Sequence, residues 1–538
     1  MLSWIFKKEN GIFLALIIAG FFLRLLFLEK NDLWYDEAAY IAIAMVYTVP
    51  PFVFFNRPFG PLNPPLSYLF GKMWGIFIYR FGWNEWILRL PCALAAFNSL
   101  LILYFLTVKM FNKRVALIAI ALMALNPFHL WYAQDISNYS VAIFGSLFTS
   151  FFLYSFLKNK TTEALVLYIA SVSMLLYGYY LGILLYACQL FIVVDTDNID
   201  LRKKLCVFIP AFLFLPIIPF FFNSLSLIQG GFWIPKPTPA SALITFENFI
   251  LGYNGTDVLY FLIDILICFT FVSIVKKLLK KNSSDEKQEI NFCLFLSLLP
   301  IALAYVYSLF YSSIYLDRAL IIFSPYFYIL VAWSLEKIRH RFVKIMTLSV
   351  LFITLIIGVI RYYSNQMYAP YDLAHHQGTY LKKPYKPLVA FLKKNLRQDD
   401  LIGFGNEHSI PPFVYYYTYD SPYESLRPDL VKISSFFFYA VDPTLINTNW
   451  QRPAEKFYGP SAWLIKKDNL LGYLKNRRAK RVFLLGHDNT RSGNLDQNSK
   501  NIRDFFNEHL RLLNVLDFDG IKLFIYDCRN LNTKNIKK

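Results

Sequence analysis

Charge is scarce in this sequence. Asp, Glu, Lys and Arg make up 17% of its 538 residues, against about 25% in an ordinary soluble chain. With 56% hydrophobic residues, that shortfall excludes a purely cytosolic globular protein, a disordered chain and a fibrous repeat. Cysteine is scarce as well. Five of the six thiols (Cys92, Cys188, Cys206, Cys268 and Cys293) fall in apolar runs, and no Cys-x-x-Cys pair occurs. The thiols therefore read as small buried hydrophobes, and neither a disulfide framework nor a cysteine metal site is expected. Cys528 alone lies in the polar tail, so the tail folds without an internal disulfide. There is no internal repeat, and Gly403-Phe404-Gly405 is too little for a dinucleotide fingerprint.

Long apolar runs are plentiful. A membrane span needs about 20 mostly apolar residues. Eleven segments meet that description, roughly at 11–29, 87–108, 115–133, 139–157, 163–178, 180–195, 205–222, 257–275, 290–310, 317–335 and 344–361. The first is followed by further spans and by no small-residue cleavage site, so it reads as a retained span rather than a signal peptide. The expected fold class is a polytopic α-helical membrane protein with about eleven transmembrane helices.

The net charge of +18 first suggests nucleic acid, but its placement argues otherwise. With a cytoplasmic N-terminus, the inner loops hold 19 Lys and Arg and the short outer loops only Lys236 and Arg318. That bias is the positive-inside pattern, and nucleic acid is not an expected partner. Two long segments then lie outside: a first loop at 30–86 and a tail at 362–538. Residues 64–79 of the first loop, interrupted by Lys72, read as a helix in the interface plane. Were they to span, the charge bias would invert. The tail alternates strand-like runs at 400–404, 434–440, 481–485 and 522–526 with helix-like stretches at 387–396, 469–476 and 498–513. It reads as an extracytoplasmic α/β domain, separate from a transmembrane domain at 1–361.

Ionisable groups near the outer leaflet are costly and mark candidate sites. Asn31-Asp32-Leu33-Trp34-Tyr35-Asp36-Glu37 follows the first span. Aromatic faces suit sugar rings, and a carboxylate can take a proton from a hydroxyl nucleophile. Asp36 and Glu37 equally suit the start of a following helix. At the outer turn between the third and fourth spans, Asn126-Pro127-Phe128-His129-Leu130-Trp131-Tyr132-Ala133-Gln134-Asp135 presents a further acid, with Tyr139 close behind. Asp135 equally suits an N-cap, and His129 alone reads as structural. Arg318 offers a forked donor set matched to phosphate, or pairs with Asp317. Arg24, Arg89 and Lys72 reach phosphate or snorkel to the interface. Such a set suits an anionic lipid donor and a hydroxyl acceptor. A transporter would place its charges near the bilayer midplane, where few occur here.

These blocks resemble the membrane-embedded glycosyltransferases of the GT-C fold. The likeness is to the protein O-mannosyltransferase family and its bacterial relatives, including the lipid A aminoarabinose transferases. It runs in order through Arg24-Leu25-Leu26, Leu33-Trp34-Tyr35-Asp36-Glu37-Ala38, Asn63-Pro64-Pro65-Leu66-Ser67-Tyr68 with Lys72, Arg89-Leu90-Pro91, the 126–139 block, and Trp233-Ile234-Pro235-Lys236-Pro237. The resemblance implies inverting transfer of a sugar from a polyprenyl-phosphate donor to an envelope glycan, lipid or protein. It makes Asp36 the catalytic carboxylate, Glu37 its neighbour in the acceptor site, Asp135 the third acid and Arg318 a ligand of the donor phosphate. Lys72, Arg24, Arg89, Tyr35, Trp131 and Tyr139 complete the expected substrate contacts. No metal or other cofactor is expected. The chain departs from its relatives at Asn63 and Tyr179, where many have His, and at Ser137, where many have Arg. A bacterial inner membrane is the expected location. The competing readings are a flippase for lipid-linked sugars and a non-catalytic scaffold.

Overall fold

The computed structural model describes residues 11–38, 84–197, 199–229, 234–252, 257–280, 286–366, 382–397, 400–405, 409–418, 474, 480–487, 495 and 497–529. Lys72, the 64–79 stretch, Trp233 and the segments at 434–440 and 469–473 lie outside them. The chain forms two compact units. Among the described residues, the first holds 11–28 and 86–366. The second holds 29–38, 84–85 and 382–529. The loop carrying Asp36 thus groups with the tail rather than with the helices it follows in sequence.

The described regular elements of the first unit are all helices. Its helices are α1 (Gly11–Leu25), α2 (Glu85–Met110, whose first residue belongs to the second unit), α3 (Lys113–Leu125), α4 (Pro127–Ala133), α5 (Tyr139–Asn159), α6 (Thr162–Gly178) and α7 (Gly182–Asp195). There follow α8 (Leu201–Cys206), α9 (Ile209–Phe214), α10 (Ile218–Gln229), α11 (Pro239–Leu251), α12 (Asp257–Leu279) and α13 (Lys287–Phe310). The last are α14 (Asp317–Leu320), α15 (Ser324–Glu336) and α16 (Arg341–Tyr363). A helix stands at each of the eleven expected positions, but the count of eleven spans is not established. Among the described residues, seven stretches are long and apolar enough, and eight if α3 and α4, bent by 61° at Asn126, form one broken span. The remaining three, α1, α6 and α7, have 15, 17 and 14 residues. At about 1.5 Å per residue they fall short of a hydrocarbon core about 30 Å thick.

Burial follows the apolar pattern. From Ser324 to Leu335 every side chain of α15 is buried, as a helix apolar on all sides requires. Helices α3, α12 and α13 pack around it. Large apolar side chains of α12 and α16, such as Phe261, Val272, Phe342 and Ile353, remain exposed and would face lipid. Three acids at the end rich in Lys and Arg are in ion pairs. Glu286 meets Lys337 and Lys277, Glu289 meets Lys158, and Glu336 meets Lys344 and Arg114.

One close approach fixes the bend at Asn126. Its Oδ1 accepts from the Phe128 and His129 N–H groups, and its Nδ2 donates to the carbonyls of Phe249 and Ile250. Helix α11 then ends at Gly252 with φ of 62°, where an added Cβ would lie 2.5 Å from the Phe128 nitrogen. Gly252→Ala meets both a left-handed backbone and that contact, and is expected to cost about 1–3 kcal/mol. Thermal unfolding in detergent would register it as a lowered midpoint.

The second unit contains a four-stranded sheet in the order β1-β2-β4-β3, with β1 (Asp400–Phe404), β2 (Arg481–His487), β3 (Arg511–Asp517) and β4 (Ile521–Asp527). Strands β1 and β2 are parallel; β4 is antiparallel to both β2 and β3. Helices α17 (Tyr385–Asn395), α18 (Ile410–Thr418) and α19 (Gln497–His509) accompany the sheet. Val482, Leu484, Phe506, Phe524 and Tyr526 form its core with Cys528. A fork from Arg481 onto Asp400 joins the first two strands at their paired ends.

The expected helix at 498–513 runs too far. It stops at His509, and Arg511 opens β3. Asp519 and Gly520, with φ of 45° and 93°, form the two-residue turn that folds β3 onto β4. An Asp-Gly pair between apolar runs is a strong hairpin signal. Strand β3 is one edge of the sheet among the described strands. A bulge at Leu513 interrupts it, and Asn514 Oδ1 takes the Val515 N–H. Both features blunt an edge against further pairing.

Candidate functional site

The two adjacent carboxylates of the first loop receive opposite environments. Residues 35–38 form a helical turn, closed by the Ala38 N–H on the Trp34 carbonyl at 3.0 Å. Neighbouring side chains on such a turn point about 100° apart. Glu37 is fully buried and accepts from the Trp34 N–H at 3.3 Å. It also forms an ion pair of 3.1 Å with Lys382, whose side chain is 6% exposed. Asp36 and Tyr35 keep part of their surface open, while Leu33, Trp34 and Ala38 are buried. Of the two acids, Asp36 is therefore the one that a substrate can reach.

A second set of contacts holds the approach to Asp36. Asp32 Oδ2 accepts from the Lys386 main-chain N–H at 2.7 Å. The Lys386 ammonium stands 2.7 Å from Glu85 Oε1 and 3.5 Å from Asp32 Oδ1. Tyr416 accepts from the Leu33 N–H at 2.7 Å and donates to Glu85 Oε1 at 2.7 Å. Burial raises the Asp32 carboxyl above its ordinary range, against the lowering effect of Lys386. Burial would lower the Lys386 ammonium, but Glu85 and Asp32 outweigh it and hold the group above its ordinary value. No sequence pattern marks Lys382 or Lys386, because only the fold brings residues 382–386 to residues 32–37.

In the first unit, Asp135 is fully buried in the turn between α4 and α5. It does not cap α5: Asn138 occupies that position, with no side-chain cap bond. Trp131 and Tyr132 are buried on α4, and rings run edge to face from Trp131 through Tyr132 and Tyr139 to Tyr179. Tyr179 then donates to the Ala319 carbonyl at 2.7 Å, next to the buried Arg318 on α14. Sequence reading noted Tyr179 only where relatives carry His; here it joins Tyr139 to the Arg318 segment. Asp317 is held by Thr245 at 2.6 Å and Asn248 at 2.5 Å, both on α11.

Two of the expected phosphate ligands rest on main-chain carbonyls. Arg24, fully buried, donates to Gly20, Met123 and Ala124. Arg89 donates to the Leu28 carbonyl. Gln134 completes the same anchor, donating to the carbonyls of Leu23, Arg24 and Leu26 while Tyr362 donates to its Oε1. Gln134 thereby satisfies open carbonyls at the end of α1, and Arg24 satisfies carbonyls at the end of α3. His129 lies 2.9 Å from Ser324 and ties α4 to α15, in keeping with its structural reading. Among the described residues, no group of three or more His, Cys, Asp or Glu is placed to hold a metal ion.

Comparison with solved structures identifies the fold. ArnT from Cupriavidus metallidurans in the apo state aligns with a TM-score of 0.56 over 96% of this chain and 98% of its own, at 9% identity. The same protein bound to undecaprenyl phosphate aligns at 0.54 and 10% identity, with the same coverage. The chain has the GT-C fold. A further GT-C likeness, to the archaeal oligosaccharyltransferase AglB from Archaeoglobus fulgidus in complex with an inhibitory peptide and a dolichol-phosphate, has a TM-score of 0.50 at 13% identity. It covers 89% of this chain and 70% of the other. A sequence profile of the dolichyl-phosphate-mannose-protein mannosyltransferases matches residues 63–222. Among curated protein sequences nothing matches. The expected GT-C fold, a multi-pass helical protein with a small C-terminal sheet, is thereby borne out.

Proposed function

We propose that this chain transfers a sugar, with inversion, from a polyprenyl-phosphate-linked donor to a hydroxyl of an envelope glycan, lipid or protein. The reading places it in a bacterial inner membrane, with a cytoplasmic N-terminus and the 362–538 domain on the outer face. The observation that carries it is the split between Asp36 and Glu37: one carboxylate is presented and the other is sequestered against Lys382. Asp36 takes the acceptor hydroxyl proton as the new bond to the anomeric carbon forms. The bond from that carbon to the phosphate oxygen breaks, and polyprenyl phosphate departs as the anion. Arg318 stabilises that anion, with Lys72 as a second cation. Asp135, Trp131, Tyr139 and Tyr35 contribute to the sugar and acceptor surfaces. The undecaprenyl phosphate of ArnT and the dolichol-phosphate of AglB support a lipid-linked donor.

The test uses the full chain in lipid nanodiscs with a panel of radiolabelled polyprenyl-phosphate sugars and a membrane extract. Label moving to an acceptor, with stoichiometric release of free polyprenyl phosphate, is expected. Donor that crosses sealed vesicles uncleaved would instead establish a flippase. Arg318→Gln is expected to raise the KM for the donor by about 10–100-fold, the cost of one charge-assisted contact of about 1.5–3 kcal/mol. An unchanged donor KM would remove Arg318 from the phosphate site.

A further inference from the structure

The second unit brings one lysine between two buried carboxylates on the segments that flank the first loop. Asp32 follows α1 and Glu85 opens α2; Lys386 comes from α17, some 300 residues away in sequence. Asp32 is 7% exposed and Glu85 is 2% exposed. Their contacts converge on Lys386, which offers both its main-chain N–H and its ammonium. Tyr416 from α18 closes the group, with its ring 5.6 Å from the ammonium and its hydroxyl between the Leu33 N–H and Glu85. Among the described residues, the fully buried Tyr385 beside Lys386 also feels the Asp32 charge. Leu33 is three residues from Asp36, so these bonds hold the base of the turn that presents the carboxylate.

We infer that Lys386 is a positioning residue: it clamps residues 32–36, and through them sets the placement of Asp36. The inference rests on the glycosyltransferase reading for its effect on turnover, though not for its effect on the loop. Without the ammonium, two desolvated carboxylates are left against each other, and the loop opens to hydrate them. Lowering the pH replaces the missing cation with a proton shared between the carboxylates. Arginine restores a cation, whereas methionine fills the space without one. The C-terminal domain is on this account part of the catalytic apparatus, because α17 and α18 supply the clamp.

The experiment compares wild type, Lys386→Met and Lys386→Arg as full chains in nanodiscs. Hydrogen exchange is followed by mass spectrometry over 29–38, with peptides from α15 as the internal control. Lys386→Met is expected to speed exchange across 29–38 while leaving α15 unchanged. It is expected to lower kcat by about tenfold or more near pH 8 with donor KM little changed, since small misplacement of a reacting group costs about that much or more. Activity should partly return near pH 5.5, and Lys386→Arg should restore both protection and kcat. Lys386→Gln serves in place of the methionine variant if that protein does not fold. Unaltered exchange over 29–38 would overturn the clamp, whatever the activity. Faster exchange with unaltered kcat would overturn the positioning role. If the wild type turns over no donor, the functional reading fails by itself, and exchange still decides whether Lys386 holds the loop.

Discussion

Asp36→Asn is expected to abolish transfer while leaving expression, folding and donor binding intact. Asparagine keeps the shape of the side chain and removes its capacity to accept the acceptor proton. A general base contributes about 10²–10⁴-fold, so release of free polyprenyl phosphate should fall by that factor. Asp36 keeps part of its surface open, and asparagine keeps its shape, so the melting temperature is expected to move little. Glu37→Gln provides the contrast. Its site is closed, so its effect should appear in stability before it appears in chemistry. Full activity of Asp36→Asn would sink the proposed mechanism.

The second large effect is structural. Lys382→Met leaves Glu37 charged, fully buried and stripped of the ammonium that now lies 3.1 Å away. Removing one partner of a buried pair costs about 3–5 kcal/mol, which is a large part of the stability of a typical domain. The double variant Lys382→Met/Glu37→Gln should recover most of the loss, because no uncompensated charge then remains. Denaturant or thermal unfolding of the four proteins of this cycle gives the coupling directly. Additive losses would mean that the pair contributes nothing beyond its separate packing.

The sequence and the structure agree where a signal is local. Apolar runs mark most described helices of the first unit, though not α11 at Pro239–Leu251, and 400–404, 481–485 and 522–526 are strands as expected. Span count is less legible, because α1, α6 and α7 are too short to pass by length alone. Strand β3 is hard to see in sequence because Leu510 to Leu513 continue the apolar pattern of α19, while the Asp519-Gly520 turn is the local mark of the hairpin. At the site, adjacency made Asp36 and Glu37 look equivalent. Only the turn at 35–38 separates them. Arg24 and Arg89 looked like phosphate ligands because a cation in an apolar run is conspicuous, while the carbonyls that receive them are invisible in sequence. Lys382, Lys386 and Tyr416 could not be found at all without the fold, since their partners lie more than 300 residues away.

The anchor at the end of α1 bears on how the chain is made. Gln134 lies 110 residues beyond Arg24, and Met123 and Ala124, which receive the Arg24 guanidinium, are nearly as distant. At a synthesis rate of about 5–20 residues per second, the first helix waits about 5–20 s for them. Throughout that interval a buried-type arginine and several open carbonyls sit in a nascent helix that has nothing to bind. The anchor of α1 is thus completed only after α3 and Gln134 have been made.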